Sequence, residues 1–259
     1  MIAILRHQLA RYRGQILGWG IAMFLLGAMM ISFYGTIKEQ SAQLEQLIQS
    51  YPPEMMAFFG GDFEGFTTPS GYLSAELFAL LPVILGVFAV LIGSGLLVSD
   101  EENGTLDLIA AHPISRTTLF AGRVLAFITA TAAILIIAWL GLVLTGTATN
   151  FEATWLELAR PFLSLLGILL VFGTLALLLS MLLPSRRMAA MAAGVLLIAS
   201  YFITSLARIN EELEPIARLS PLTYYQSGDA MLGLKLDWLA GLLIVAALFT
   251  LLAWRLFDR

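Results

Sequence analysis

Residues 99–123 read SDEENGTLDLIAAHPISRTTLFAGR, the densest polar island in a very apolar chain. Three consecutive acids, Asp100, Glu101 and Glu102, lead into a turn at Gly104. A short helical pattern follows, breaks at His112-Pro113 and restarts on a basic residue at Arg116. Thr105 can cap the short helix, whose first turn holds Asp107 at the positive end of the helix dipole. Leu106, Leu108 and Ile109 give it an apolar face, and Pro113 stops it. Ser115 can cap the restart, with Thr117 and Thr118 in the first turn and Arg116 and Arg123 on the flank opposite the acids. An apolar ridge rimmed by charge suits a groove on a soluble partner. From these residues alone, a polar connector between two spans reads equally well.

The surroundings of this island fix the class of protein. Of 259 residues, 59% are hydrophobic and 12% are charged, with a mean hydropathy of +0.88. A soluble domain of this size carries about 25% charged residues. The chain is therefore read as an all-α integral membrane protein with one transmembrane domain, residues 1–259. There is no cysteine, which excludes disulfides and thiolate chemistry.

A hydrocarbon core of roughly 30 Å needs about 20 apolar residues in a helix. Six runs reach that length: about 15–36, 75–99, 119–146, 161–183, 188–207 and 238–257. The fourth and fifth are joined by Pro184, Ser185, Arg186 and Arg187, which makes them a tight hairpin. The first run is too long, and lacks the small-residue site, for a cleaved signal peptide. Residues 1–13 place Ile2, Leu5, Leu9 and Tyr12 on one helical face, so they read as a surface helix or as a basic flank of the first span. Lysine and arginine in short loops set orientation. An inside N-terminus puts Arg6, Arg11, Arg13, Arg116, Arg123, Arg186, Arg187, Arg255 and Arg259 on the cytoplasmic side, leaving Lys38, Arg160, Arg208, Arg218 and Lys235 outside. Both termini and residues 99–123 are then cytoplasmic.

On the outer side, residues 37–72 carry Leu44, Leu47, Ile48 and Tyr51 at one-face spacing, then Pro52-Pro53 and the patch Met55, Met56, Phe58, Phe59. They read as an amphipathic lid or as a loop packed on neighbouring helices. Residues 208–237 hold an acidic helical piece, 210–219, followed by Ser220-Pro221-Leu222-Thr223-Tyr224-Tyr225, whose tyrosines suit a membrane–water interface.

Catalysis is tested by elimination. His7 and His112 both fall at the cytoplasmic edge, and neither an HExxH nor a P-loop pattern is present. Glu76 stands at the outer end of the second run, where an interfacial position suits it better than a proton path. No catalytic, metal or cofactor residue is expected, and no nucleic-acid partner. Small residues recur in the spans (Gly27, Gly86, Gly93, Gly95, Gly167, Gly173 and the alanines around Gly194), where they permit close packing within one subunit or across a dimer seam. Pro82 is expected to kink the second span.

The pattern Glu101-Glu102-Asn103-Gly104-Thr105-Leu106-Asp107-Leu108, followed by Pro113-Ile114-Ser115-Arg116, resembles the loop of ABC-2 type transporter permeases, the membrane subunits of ATP-binding-cassette exporters. The likeness extends over nearly the whole chain, including Leu219-Ser220-Pro221-Leu222-Thr223-Tyr224, a looser match to the family's Ser-Pro-aromatic segment. It implies six transmembrane helices, an N-terminal surface (elbow) helix and a cytoplasmic coupling helix between helices two and three. That coupling helix would run from Thr105 to Ala111, with Leu106, Leu108 and Ile109 as the docking ridge and Glu101, Glu102 and Arg116 as the charged rim. The resemblance further implies two soluble ATPase subunits, which bind the ATP and magnesium, a second permease copy or paralogue, and a plasma-membrane location. Two other classes remain open on the sequence: a six-helix secondary transporter, which needs ionisable or unwound midplane sites, and an intramembrane enzyme, which needs a nucleophile–base pair.

Overall fold

A computed structural model of the chain describes residues 1–39, 68–98, 104 and 115–258. Every regular element among them is helical. In chain order the long helices are Ile2–Glu39, Arg116–Thr149, Trp155–Leu182, Arg186–Ala207 and Leu236–Asp258. A sixth span is composite: Pro69–Leu73 and a π-helical turn, Ser74–Phe78, meet Leu81–Gly95 at a bend of 43°. Five single helices are long and apolar enough to cross a bilayer, and the bent pair makes six. We call them the first to sixth spans, the bent pair being the second.

One sequence expectation is corrected. Residues 2–13 do not form a separate elbow helix at the surface, because they run without a break into the first span. Nothing stops the helix there: Gly14 and Gly18 are tolerated inside it, and no proline interrupts the run. At 1.5 Å per residue such a helix is about 57 Å long, well over the hydrocarbon thickness, so its basic first turns project beyond the apolar core. The basic-flank reading of these residues fits; the surface-helix reading does not.

The fourth span is the axis of the bundle. It packs against the second, fifth and sixth, while the first pairs along its length with the third. Between helices in lipid there is no hydrophobic driving force, so close packing has to hold them. The sequence answers with glycine where backbones cross. A Cβ on Gly93 would lie 2.0 Å from the Gly173 carbonyl oxygen, and one on Gly141 would lie 2.5 Å from that of Phe24. The small residues Gly27, Gly86, Gly93, Gly141, Gly167 and Gly173 therefore serve contacts inside one subunit. Of the span glycines expected to pack closely, only Gly194 faces open space. Around the outside, Leu17, Ile21, Leu25, Met29 and Phe33 form an exposed apolar stripe, as a lipid-facing helix requires.

Several buried hydroxyls inside the spans are satisfied locally. Thr131 donates to the Phe127 carbonyl, Thr174 to Leu170 and Ser180 to Leu177, each within its own helix. Local caps set the ends. Thr154 and Glu157 form a reciprocal capping box at the start of the fourth span. Asn150, at φ 53°, closes the third in the left-handed conformation that asparagine tolerates.

Candidate functional site at the two ends of the second span

Residues 99–103 and 105–114 bracket Gly104 between the second and third spans. The predicted docking residues Glu101, Glu102, Thr105, Leu106, Leu108, Ile109 and Pro113 lie outside the described residues. Gly104 has φ +66°, a left-handed backbone suited to glycine and to the turn expected there. Ser115 caps the third span as expected: its Oγ accepts the Thr118 amide at 3.2 Å. Arg116 begins that helix and is exposed.

Arg123 departs from its expected place. Instead of flanking the loop opposite the acids, it is only 3% exposed. Its guanidinium donates from Nη1 to the Leu96 carbonyl at 2.7 Å. Leu96 is the cap residue where the second span ends. The last carbonyls of a helix have no amide partner within it, and a cation there meets the negative end of the dipole. Arg186, from the start of the fifth span, does a related job, donating from Nη2 to the Leu91 carbonyl at 3.3 Å. Gly95 makes room for it, since a Cβ there would sit 2.7 Å from Arg186 Nε. Two arginines from two other spans thus hold the end of the second span, three residues before the polar island begins. The sequence carried a signal for Arg123: it lies on the helix face of Phe120, Phe127 and Ala130, all buried.

At the opposite end, Pro82 breaks the second span as expected, and a side chain distant in sequence repairs the break. Proline has no amide hydrogen, so the carbonyl of Phe78, four residues earlier, loses its helical donor. The Tyr225 hydroxyl donates to that carbonyl at 3.0 Å. Burial pushes the Tyr225 phenol pKa up, so it stays a proton donor through the physiological range. The π-helical turn Ser74–Phe78 lies just before the break, where such turns absorb an irregular register.

The segment carrying Tyr225 is fastened on several sides. Ser220 caps the 3-10 turn Pro221–Tyr224, accepting the Leu222 amide at 3.3 Å. The Gln226 amide donates to Ser164 of the fourth span at 3.0 Å, and Arg160 donates to the Met231 carbonyl at 2.9 Å. Ser227 and Ser74 share a hydrogen bond at 3.0 Å, and Gly228 packs so closely that a Cβ would lie 2.5 Å from the Ser70 carbonyl oxygen. The tyrosine pair divides its roles. Tyr224 rests edge-on against Trp238, with ring centroids 5.6 Å apart, while Tyr225 points inward to the break. Glu76, in the π-helical turn, is exposed.

This geometry yields a cycle that can be measured. Tyr225→Phe removes the donor and leaves a buried carbonyl unpaired, at a cost of about 1–3 kcal/mol in stability. Pro82→Ala supplies the amide that the proline lacks, four residues on from the same carbonyl. In thermal unfolding of the detergent-solubilised protein, Tyr225→Phe is therefore expected to cost at least about 1 kcal/mol less in the Pro82→Ala background. Strictly additive costs would show that Tyr225 does not stand in for the missing amide.

No curated protein matches the sequence. The family of ABC-2 transporter proteins does, over residues 2–259. The six apolar spans, the polar island hung between the second and third, and the extent of that match agree: the chain belongs to the ABC-2 family transporter proteins and is a multi-pass membrane component of an ABC transporter.

Proposed function

We propose that this chain is the permease half of an ABC exporter whose ATPase activity resides in a separate soluble subunit, with two permeases and two ATPases in the working complex. The loop end of the bundle is cytoplasmic, both termini with it, and the location is the plasma membrane. ATP and magnesium are bound by the partner, which seats the segment from Thr105 to Ala111 in a cleft. The observation that carries this reading is the Arg123–Leu96 bond. It joins the second and third spans at the root of the loop, so a displacement imposed on the loop moves both together. The far end of the second span is held by Tyr225 at a bend, a suitable fulcrum. Coupling then requires only that the ATPase bind one permease arrangement better than the other.

The rival class, a carrier driven by an ion gradient, calls for ionisable groups within the membrane. Among the described residues, the buried polar side chains are arginine, glutamine, serine and threonine, with no carboxylate, which favours the ATP-driven reading. The test is reconstitution of the full chain with its ATPase in inside-out vesicles. Uptake of a fluorescent amphiphile is expected to follow ATP and to survive a protonophore. Uptake that persists without nucleotide and follows an imposed ion gradient would favour the carrier.

A further inference from the structure

The end of the bundle that bears both termini also holds a basic cleft, lined by residues other than those proposed for docking. Two hollows of about 250 and 730 Å³ lie there and share Leu91 and Arg186 in their walls. The first span lines the smaller with Gln8, Arg11 and Tyr12. The fifth lines the larger with Arg187 and Met191. Three arginines from two spans thus meet one opening, and among the described residues no carboxylate lines it.

A general excess of arginine at helix ends follows from orientation alone, but the inward fold of Arg186 does not. Gly95 clears a seat for its guanidinium against the second span. Guanidinium forks match phosphate oxygens, and basic pockets between transmembrane helices take acidic headgroups. The wall continues toward the bilayer centre as the exposed stripe Met191, Val195, Ile198 and Phe202. Cations at the end of a span, next to an exposed apolar helix face, suit an anion that carries an acyl chain.

We propose that this cleft binds the phosphate of an acidic phospholipid, with an acyl chain along Met191 and Val195. The bound lipid bridges the first and fifth spans beside the end of the second, so its occupancy bears on how stiffly the polar loop is held. The site stands whether or not the transport reading does, because it concerns lipid binding by this chain alone.

The test is native mass spectrometry of the full chain, purified in detergent and equilibrated with phosphatidylglycerol or phosphatidylcholine. The expected result is retention of phosphatidylglycerol and loss of phosphatidylcholine. Arg11→Gln with Arg187→Gln should weaken retention roughly thirtyfold, and Arg187→Gln alone roughly fivefold. Arg6→Gln with Arg13→Gln, on the same helix end but outside the cleft, should leave it unchanged. Arg186 is kept because it also packs on the second span. Equal retention of the two lipids, or equal retention by the cleft and control variants, would overturn the site. Displacement of the lipid by millimolar inorganic phosphate would make it a soluble-anion site and overturn the lipid assignment.

Discussion

Gly93→Leu is expected to destabilise the bundle by about 3 kcal/mol or more. A side chain at this position has no volume to enter, because its Cβ alone would lie 2.0 Å from the Gly173 oxygen and 2.8 Å from the Gly173 carbonyl carbon. Both are backbone atoms and cannot rotate away. The two spans would have to separate, and Phe127 of the third span, which already covers Gly173, would be displaced as well. Over-packing in a core costs about 1–3 kcal/mol even where side chains can yield; here they cannot, so the loss should lie at or above the upper end. For a chain of this size that is a fall in melting temperature of roughly 10 °C or more, read as a broadened or absent monodisperse peak in detergent. Gly194→Leu is the matched control. It adds the same side chain to a span where nothing lies within 4 Å, and it should leave the peak intact. Equal stability of the two variants would show that the second and fourth spans do not cross on glycine.

The contrast between those glycines marks what could and could not be read from the sequence. Hydropathy located all six spans, because the bilayer sets their length and the spans need little else to be recognised. It also gave the break at Pro82 and the cap at Ser115, which depend on residues adjacent in the chain. It could not rank Gly93 above Gly194, since in a membrane both the packed and the lipid-facing surfaces are apolar and periodicity loses contrast. The separate elbow helix failed for a related reason. A basic, amphipathic stretch ahead of a span fits a surface helix or the continued first turns of the span, and the uninterrupted helix from Ile2 to Glu39 decides for the second.

Contacts distant in sequence were the least legible. Tyr225 reads as an interfacial aromatic, yet its hydroxyl serves a carbonyl 147 residues away. Arg123 reads as a charge on the basic flank of the loop, but its position on a buried helix face places it under the second span. In both, the decisive fact is a backbone carbonyl that lacks a helical donor: one made by a proline, one left by a helix end. Searching a sequence for such orphaned carbonyls, at residues four before a proline and at predicted helix ends, is the signal that would have pointed to these two side chains.

Leu106→Glu with Leu108→Glu is expected to release the ATPase subunit from the permease. The proposed docking ridge has three apolar residues, Leu106, Leu108 and Ile109, so two of them carry much of what it can bury. Each leucine fully buried against a partner contributes about 1.5–3 kcal/mol, and a carboxylate forced into the same groove adds a desolvation penalty. Together this amounts to a loss of roughly two to four decades in affinity, enough to empty a co-purified complex. Neutralising Glu101, Glu102 and Arg116 should act differently. Rim charges mainly set the association rate and its salt dependence, so the complex should survive but form more slowly. The permease itself should fold in every case, because its second and third spans are held at the loop's roots by Arg123, Arg186 and the Ser115 cap. Co-purification from nanodiscs, with Leu219→Glu at the opposite and 84% exposed end as the control, separates the outcomes. An ATPase that stays bound, undiminished, to the double variant would mean that the polar island is a connector and that the motor seats elsewhere.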